Sequence, residues 1–269
     1  MNPSNRHAPI RHPRFGTVSF VGAGPGDPEL LTIKGQAAIA GASLVLYAGS
    51  LVPLAIVAGA DKSARVVDSA PLTLEECHAL VHETALSGKN VARVHTGDPC
   101  LFGALLEQTS LLDRDGIPWH VIPGVTAACA AAAAAGVSFS VPEIAQSLVI
   151  CRMAGRTPVP EAERLGRLAA HGASLAVYLS GHAAREMQDE LLTALPAQTP
   201  VLCAHCVGWP EQKLVWTTVE DFAATVAAHA LERQTVFLVL PAHGRNAPAS
   251  RLYAANFAHA FRTTLPHCS

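Results

Sequence analysis

No apolar run in the 269 residues approaches the roughly 18 that a membrane-spanning helix needs. The longest bland stretch, Ala127 to Ala135, is mostly alanine and reads as a tightly packed helix. There is no excess of positive charge: 19 Lys+Arg stand against 21 Asp+Glu, a formal charge of −2, so the basic face of a nucleic-acid binder is not expected. An acidic small molecule stays open as a ligand, because a few arginines in a pocket do not move the total. An even cysteine framework is lacking too. Seven cysteines make an odd count in a long chain, which fits reduced thiols. The opening MNPSNRHAPIRHPRF holds no apolar signal core, so residues 1–14 are expected to be a disordered leader and the protein cytoplasmic, with neither a membrane nor a nucleic acid as partner. No internal repeat is visible.

What the chain does have is hydrophobic material, half of its residues, enough for one large core or two medium ones. Short apolar runs alternate with longer helix-like segments. Strands are expected at Thr17–Val21, Leu44–Tyr47, Arg65–Val67, Val91–Val94 and Trp119–Ile122. Helices are expected at Leu30–Ala40, from the capping box Thr73–Glu76 to about Ser87, and at Gly103–Asp113. After the break at Pro123-Gly124 come strands at Ser147–Cys151, Ser174–Leu179, Val201–Cys206, Lys213–Thr217 and Thr235–Leu240, with helices at Glu161–Ala170, Ala183–Ala194 and Val219–Ala230. The turn at Trp209-Pro210-Glu211 predicts a hairpin. The fold class is therefore α/β with two domains: a parallel-sheet N-terminal domain over 15–123 and a mixed-sheet C-terminal domain over 124–245, then a tail over 246–269.

Three loops follow predicted strands, where open α/β sheets bind ligands. Gly22-Ala-Gly24-Pro-Gly26-Asp27-Pro28 is glycine-rich, but its third glycine comes one place early for the dinucleotide fingerprint and Pro25 removes an amide donor. No Lys-Ser/Thr follows at P-loop spacing. A tight β-to-α turn and a ligand loop weigh evenly here. In His95-Thr96-Gly97-Asp98-Pro99 the carboxylate of Asp98 is either part of a turn or an acceptor for a hydroxyl or an ammonium. Pro123-Gly-Val-Thr126-Ala127 opens a helix with Thr126 as N-cap. Each alone reads as a turn; together they favour one cofactor cleft. Cys203-Ala-His-Cys206 is the only CxxC, ends a strand-like run and has no second ligand pair, so it reads as ordinary thiols and no metal is expected.

These segments, VGAGPGDPELLTIKG (Val21–Gly35), VHTGDP (Val94–Pro99) and IPGVTAACAAAAAAG (Ile122–Gly136), resemble the tetrapyrrole methylase family, in order and over about residues 16–243. AQSLVICRMAGRTPVPE (Ala145–Glu161) and the Trp209 turn resemble the branch that methylates precorrin-4 at C11 in cobalamin synthesis. Leu46–Ser50 looks more like the metal-free, aerobic branch than the cobalt-precorrin one. The resemblance implies an S-adenosylmethionine site in a cleft between the two domains, and a homodimer. It implies that Pro25 lies near the cofactor, that Thr96, Gly97 and Asp98, with Leu101, meet its methionine part and ribose, and that Thr126 and Ala127 meet its adenosine side. Leu179 falls where the family often has methionine, Val207 where many members have a small residue, and Thr235 at a further cofactor position.

The implied substrate, precorrin-4, carries eight carboxylates, for which arginine is the natural partner. Arg93, Arg152 and Arg156 are placed at or near strand ends, Arg156 in the segment that marks the branch. His95 and Tyr178 are candidates by position for touching substrate or removing a proton, with a structural role the better reading for a lone histidine at a strand end. No catalytic base is singled out. The methyl transfer is expected to be direct, without covalent intermediate or metal. Two other classes stay in view. A dinucleotide oxidoreductase expects an acidic residue about 20 positions after the glycine loop, and the second strand ends in Tyr47-Ala-Gly-Ser50 without one. A non-catalytic tetrapyrrole carrier would bind without turnover.

Overall fold

The computed structural model describes residues 15–246, 250, 257–258, 260 and 262. The expected leader and most of the expected tail lie outside the described residues. One compact unit takes the chain up to Ala131 together with Cys206–Gln212; the other takes Ala132–His205 and the chain from Lys213.

In the first unit β1 (Val18–Gly22), β2 (Leu44–Tyr47), β3 (Arg65–Asp68), β4 (Val91–His95) and β5 (Trp119–Ile122) form one parallel sheet in the order β3-β2-β4-β1-β5. Strand β2 is buried along its whole length, as expected for a strand covered on both faces. Ile39 of α1 (Ile33–Ala40) and Ile56 and Val57 of α2 (Leu54–Val57) pack with Val21, Val45 and Val94. Cys77 and Val81 of α3 (Leu74–Leu86) and Leu112 of α4 (Leu105–Asp115) pack with Val18, Phe20, Leu46 and Val91. The division between the units falls inside α5 (Ala127–Ala135), whose Ala128, Ala130, Ala131 and Ala132 are buried. The side chains are small enough to pack closely.

The second unit has β6 (Leu148–Arg152), β7 (Ser174–Tyr178), β8 (Pro200–His205), β9 (Lys213–Thr218) and β10 (Thr235–Val239) in the order β6-β7-β10-β8-β9. Only β6 and β7 run parallel. The expected β8–β9 hairpin is present, with Pro200 opposite Thr218 and His205 opposite Lys213. Helices α6 (Leu165–Ala169), α7 (Ala184–Leu192) and α8 (Phe222–His229) supply Leu165, Met187, Leu191 and Phe222 to a core with Val177, Cys203 and Phe237. No described helix is long and apolar enough to cross a membrane.

Two expected helices are broken by their own caps. The Leu30–Ala40 segment is a short 3-10 turn, Pro28–Leu30, capped by Asp27, and then α1, restarted by Thr32, whose hydroxyl accepts from Gly35 N at 3.0 Å. In Glu161–Ala170 the extended Arg164 separates a 3-10 turn at Glu161–Glu163 from α6.

Candidate cofactor-binding site

Strands β4, β1 and β5 are hydrogen-bonded neighbours running the same way, so the loops that follow them emerge side by side at the carboxyl edge of the sheet. That is why three turns far apart in sequence meet. Ala23 N donates to His95 O at 2.8 Å, and Gly24 and Gly97 exchange backbone hydrogen bonds of 3.2 and 2.7 Å. A β-carbon on Gly124 would lie 2.1 Å from the Gly97 carbonyl oxygen, and one on Gly22 would lie 2.4 Å from Gly124 N. The three main chains touch where only glycine permits it.

Asp98 ties this junction together. One carboxylate oxygen accepts from Cys100 N at 2.8 Å and the other from Gly124 N at 3.0 Å. Both oxygens hold the second loop in shape and pin it to the third, and each keeps a further lone pair. Thr96, Gly97, Leu101, Thr126 and Ala127 are half-buried at or near the same junction. Pro25 is buried, and its carbonyl accepts from Trp209 Nε1 at 3.0 Å. A β-carbon on Gly26 would fall 2.2 Å from the Trp209 ring, and one on Gly208 2.7 Å from Asp27 N. The Cys206–Gln212 turn, with buried Val207, thus closes over the first glycine loop. The sequence pointed to this turn as a hairpin and a branch marker, and to Val207 in it as a cofactor position, but not to its contact with the first glycine loop. The available signal was the pairing of a tryptophan and glycine in one turn with a glycine-rich loop elsewhere.

The three loops, over 22–28, 96–104 and 123–128, contain no Lys or Arg, while Asp27 and Asp98 bring negative charge. A wall of main chain and small side chains without a cation suits a positively charged donor.

His95 and Arg93 do not occupy the places expected for substrate contacts. They share a strand face with Val91, the face toward α3 and α4. Arg93 donates to Gln108 Oε1 at 2.9 Å, Leu46 O at 3.2 Å and Ser69 Oγ at 3.0 Å, so its guanidinium is engaged inside the first unit. The His95 ring lies 5.9 Å from that of Phe20 and is 6% exposed. Its Nε2 has no hydrogen-bond partner. Burial, with Arg93 adding to it, pushes its pKa down to about 3, so it stays neutral.

In the second unit Arg152, expected as a substrate ligand, instead donates to the carbonyls of Met153, Thr157 and Pro158 at 3.1, 3.2 and 2.9 Å. The loop it braces exposes Arg156. Tyr178 ends β7, half-buried, and Leu179 follows at φ 54, 60% exposed. Positive φ in a non-glycine residue marks a strained turn that its surroundings hold in place. Thr235 opens β10, its hydroxyl 3.1 Å from His205 Nδ1 and donating to Arg233 O at 2.9 Å. Cys203 is fully buried in the core and its thiol is pushed up to about 12, which leaves it inert.

The chain matches the model of the tetrapyrrole (corrin/porphyrin) methylases over residues 17–223 and belongs to that family; by that membership it is a methyltransferase. A relative from Pseudomonas aeruginosa named precorrin-4 C(11)-methyltransferase is 43% identical over 249 residues, 91% of this chain and 98% of the relative. The X-ray structure of a cobalt precorrin-4 methyltransferase superposes with a TM-score of 0.81 at 38% identity, covering 83% of this chain and 94% of the other. The uroporphyrin-III C-methyl transferase from Thermus thermophilus, solved in complex with S-adenosyl homocysteine, gives a TM-score of 0.68 at 26% identity, over 83% and 97% of the two chains.

Proposed function

We propose that this chain transfers the methyl group of S-adenosylmethionine to C11 of precorrin-4, giving precorrin-5 in cobalamin synthesis. The observation that carries the reading is the 43% identity to a precorrin-4 C(11)-methyltransferase over 98% of that protein's length. The glycine junction supports it chemically. When bound, S-adenosylmethionine supplies a methyl group on positively charged sulfur, and the cation-free loops around Gly22, Gly97 and Gly124 suit such a group.

In this reading Pro25, Thr96, Gly97, Leu101, Thr126, Ala127 and Val207 form the cofactor wall and Asp98 holds its loops together. For Leu179 and Thr235 the assignment rests on the family resemblance. The chain's work is alignment of donor and acceptor carbon, worth several kcal/mol in well-oriented reactions. Arg156, exposed on its loop, takes a carboxylate of the macrocycle. Arg93 has no part in this, and Arg152 acts from behind the loop. Tyr178 remains a candidate by position at the end of β7.

The same chemistry on the cobalt-containing macrocycle is a second reading, favoured by the 0.81 superposition on a cobalt precorrin-4 methyltransferase. The proposal includes the cytoplasm, where an odd set of thiols stays reduced. It also includes a homodimer, which would cover exposed apolar side chains such as Leu54 and Leu106. Calorimetric titration tests the cofactor assignment: S-adenosylhomocysteine should bind with measurable heat and NAD should give none. Heat with NAD alone would restore the oxidoreductase. Binding of precorrin-4 with no response to S-adenosylhomocysteine would restore the carrier.

A further inference from the structure

Strands β6 and β7 pair in register up to Arg152 opposite Tyr178, where the backbone ladder ends. Beyond that point side chains take over. Ser180, 0% exposed, accepts from Met153 N at 2.8 Å and donates to Tyr178 O at 2.6 Å. One hydroxyl therefore joins the first residue of the 153–160 loop to the turn that contains Leu179. Arg152 grips the same loop from its own stem, with its hydrogen bonds to the carbonyls of Met153, Thr157 and Pro158. A tight turn inside the loop, Gly155 N to Thr157 O at 3.2 Å, completes the shape. The loop also lies against the segment after Ser180, since a β-carbon on Gly155 would come 3.1 Å from His182 Nε2. The outcome is a short loop with fixed ends, exposed over 154–158, whose one charged residue is Arg156.

We propose that Arg152 and Ser180 are positioning residues: together they hold the Arg156 loop in the geometry that receives a carboxylate of the tetrapyrrole, without touching the substrate themselves. The inference rests on the reading of Arg156 under the proposed function. A planar guanidinium suits this role, because three carbonyls converge on its fork, a geometry that the single ammonium of lysine does not reproduce. Ser180 suits it because a buried hydroxyl that both donates and accepts fixes two chain segments at once.

The test is a double-mutant cycle on the full-length protein with Arg152→Gln, Arg156→Gln and the pair, each assayed for precorrin-4 KM, kcat and S-adenosylhomocysteine affinity. Arg152→Gln should raise KM about tenfold, leave cofactor affinity within about twofold, and add less than about twofold to the effect of Arg156→Gln. Arg152→Lys should not rescue it, and Ser180→Ala should raise KM in the same sense. Fully additive effects, or rescue by lysine, would overturn the proposal by making Arg152 an independent charge contact. Hydrogen exchange separates this failure from failure of the methylation reading. The amide of Met153, which donates to Ser180 Oγ, should lose protection in Ser180→Ala, and that of Gly155, which donates to Thr157 O, in Arg152→Gln, whatever the substrate is. Unchanged protection overturns the positioning role, whereas lost protection in a chain that does not methylate precorrin-4 leaves the clamp standing and removes the substrate.

Discussion

At the scale of residues, glycine and histidine carry the sharpest expectations. Gly124→Ala would place a β-carbon 2.1 Å from the Gly97 carbonyl oxygen, with main chain on both sides and no flexible side chain to yield. A cost on the order of 4 kcal/mol in unfolding free energy is expected, with loss of S-adenosylhomocysteine binding in whatever stays folded. Gly59→Ala, whose β-carbon meets nothing within 4 Å, is the control and should stay within about 0.5 kcal/mol of the parent. His95 sets a pH dependence. Its folded pKa is depressed to about 3, whereas an unfolded chain titrates near 6.5. Above that value neither state binds the proton. Below it the unfolded chain takes a proton that the folded one refuses, so stability falls as pH drops from about 6.5 toward 3, by up to about 1.4 kcal/mol per pH unit from this group. Urea unfolding at pH 7, 6 and 5 should therefore show a shallower decline in His95→Gln than in the parent; equal declines would contradict the burial argument. Arg156→Ala should raise KM for precorrin-4 and leave S-adenosylhomocysteine affinity nearly unchanged; a collapse of cofactor affinity would remove Arg156 from the substrate role.

At the scale of elements, the turn between β8 and β9 has a role its length does not advertise. Its Trp209 indole donates to the Pro25 carbonyl and lies against Gly26. Trp209→Ala should weaken S-adenosylhomocysteine binding about tenfold, equivalent to about 1.4 kcal/mol, by freeing the first glycine loop. Unchanged affinity in a calorimetric titration would detach that turn from the site. Much of this level was readable in advance. The strands announced themselves as apolar runs, and the capping box forms as expected, with Thr73 N donating to Glu76 Oε2 at 2.8 Å and Glu76 N to Thr73 Oγ1 at 3.2 Å. The meeting of the three loops was legible because all of them follow strands, although each alone reads as a turn. Helix α2 was not expected, since a four-residue turn after Pro53 has too little periodicity to register. Arg93 was misplaced although the period-two alternation from Val91 already puts it on the α3 and α4 face. The roles of Arg152 and Asp98 could not be read, because they depend on where loop carbonyls and amides curl in space.

At the scale of the whole molecule, the first unit holds the cation-free glycine junction and the second holds the braced Arg156 loop. The family match runs through the two units, over residues 17–223. The most direct test is incubation of the purified protein with methyl-labelled S-adenosylmethionine and precorrin-4, with and without cobalt in the ring, followed by locating the label by nuclear magnetic resonance. The expected result is one labelled methyl group, on C11, formed from the metal-free substrate. Label on another carbon, or no transfer to either macrocycle, would contradict the proposed reaction.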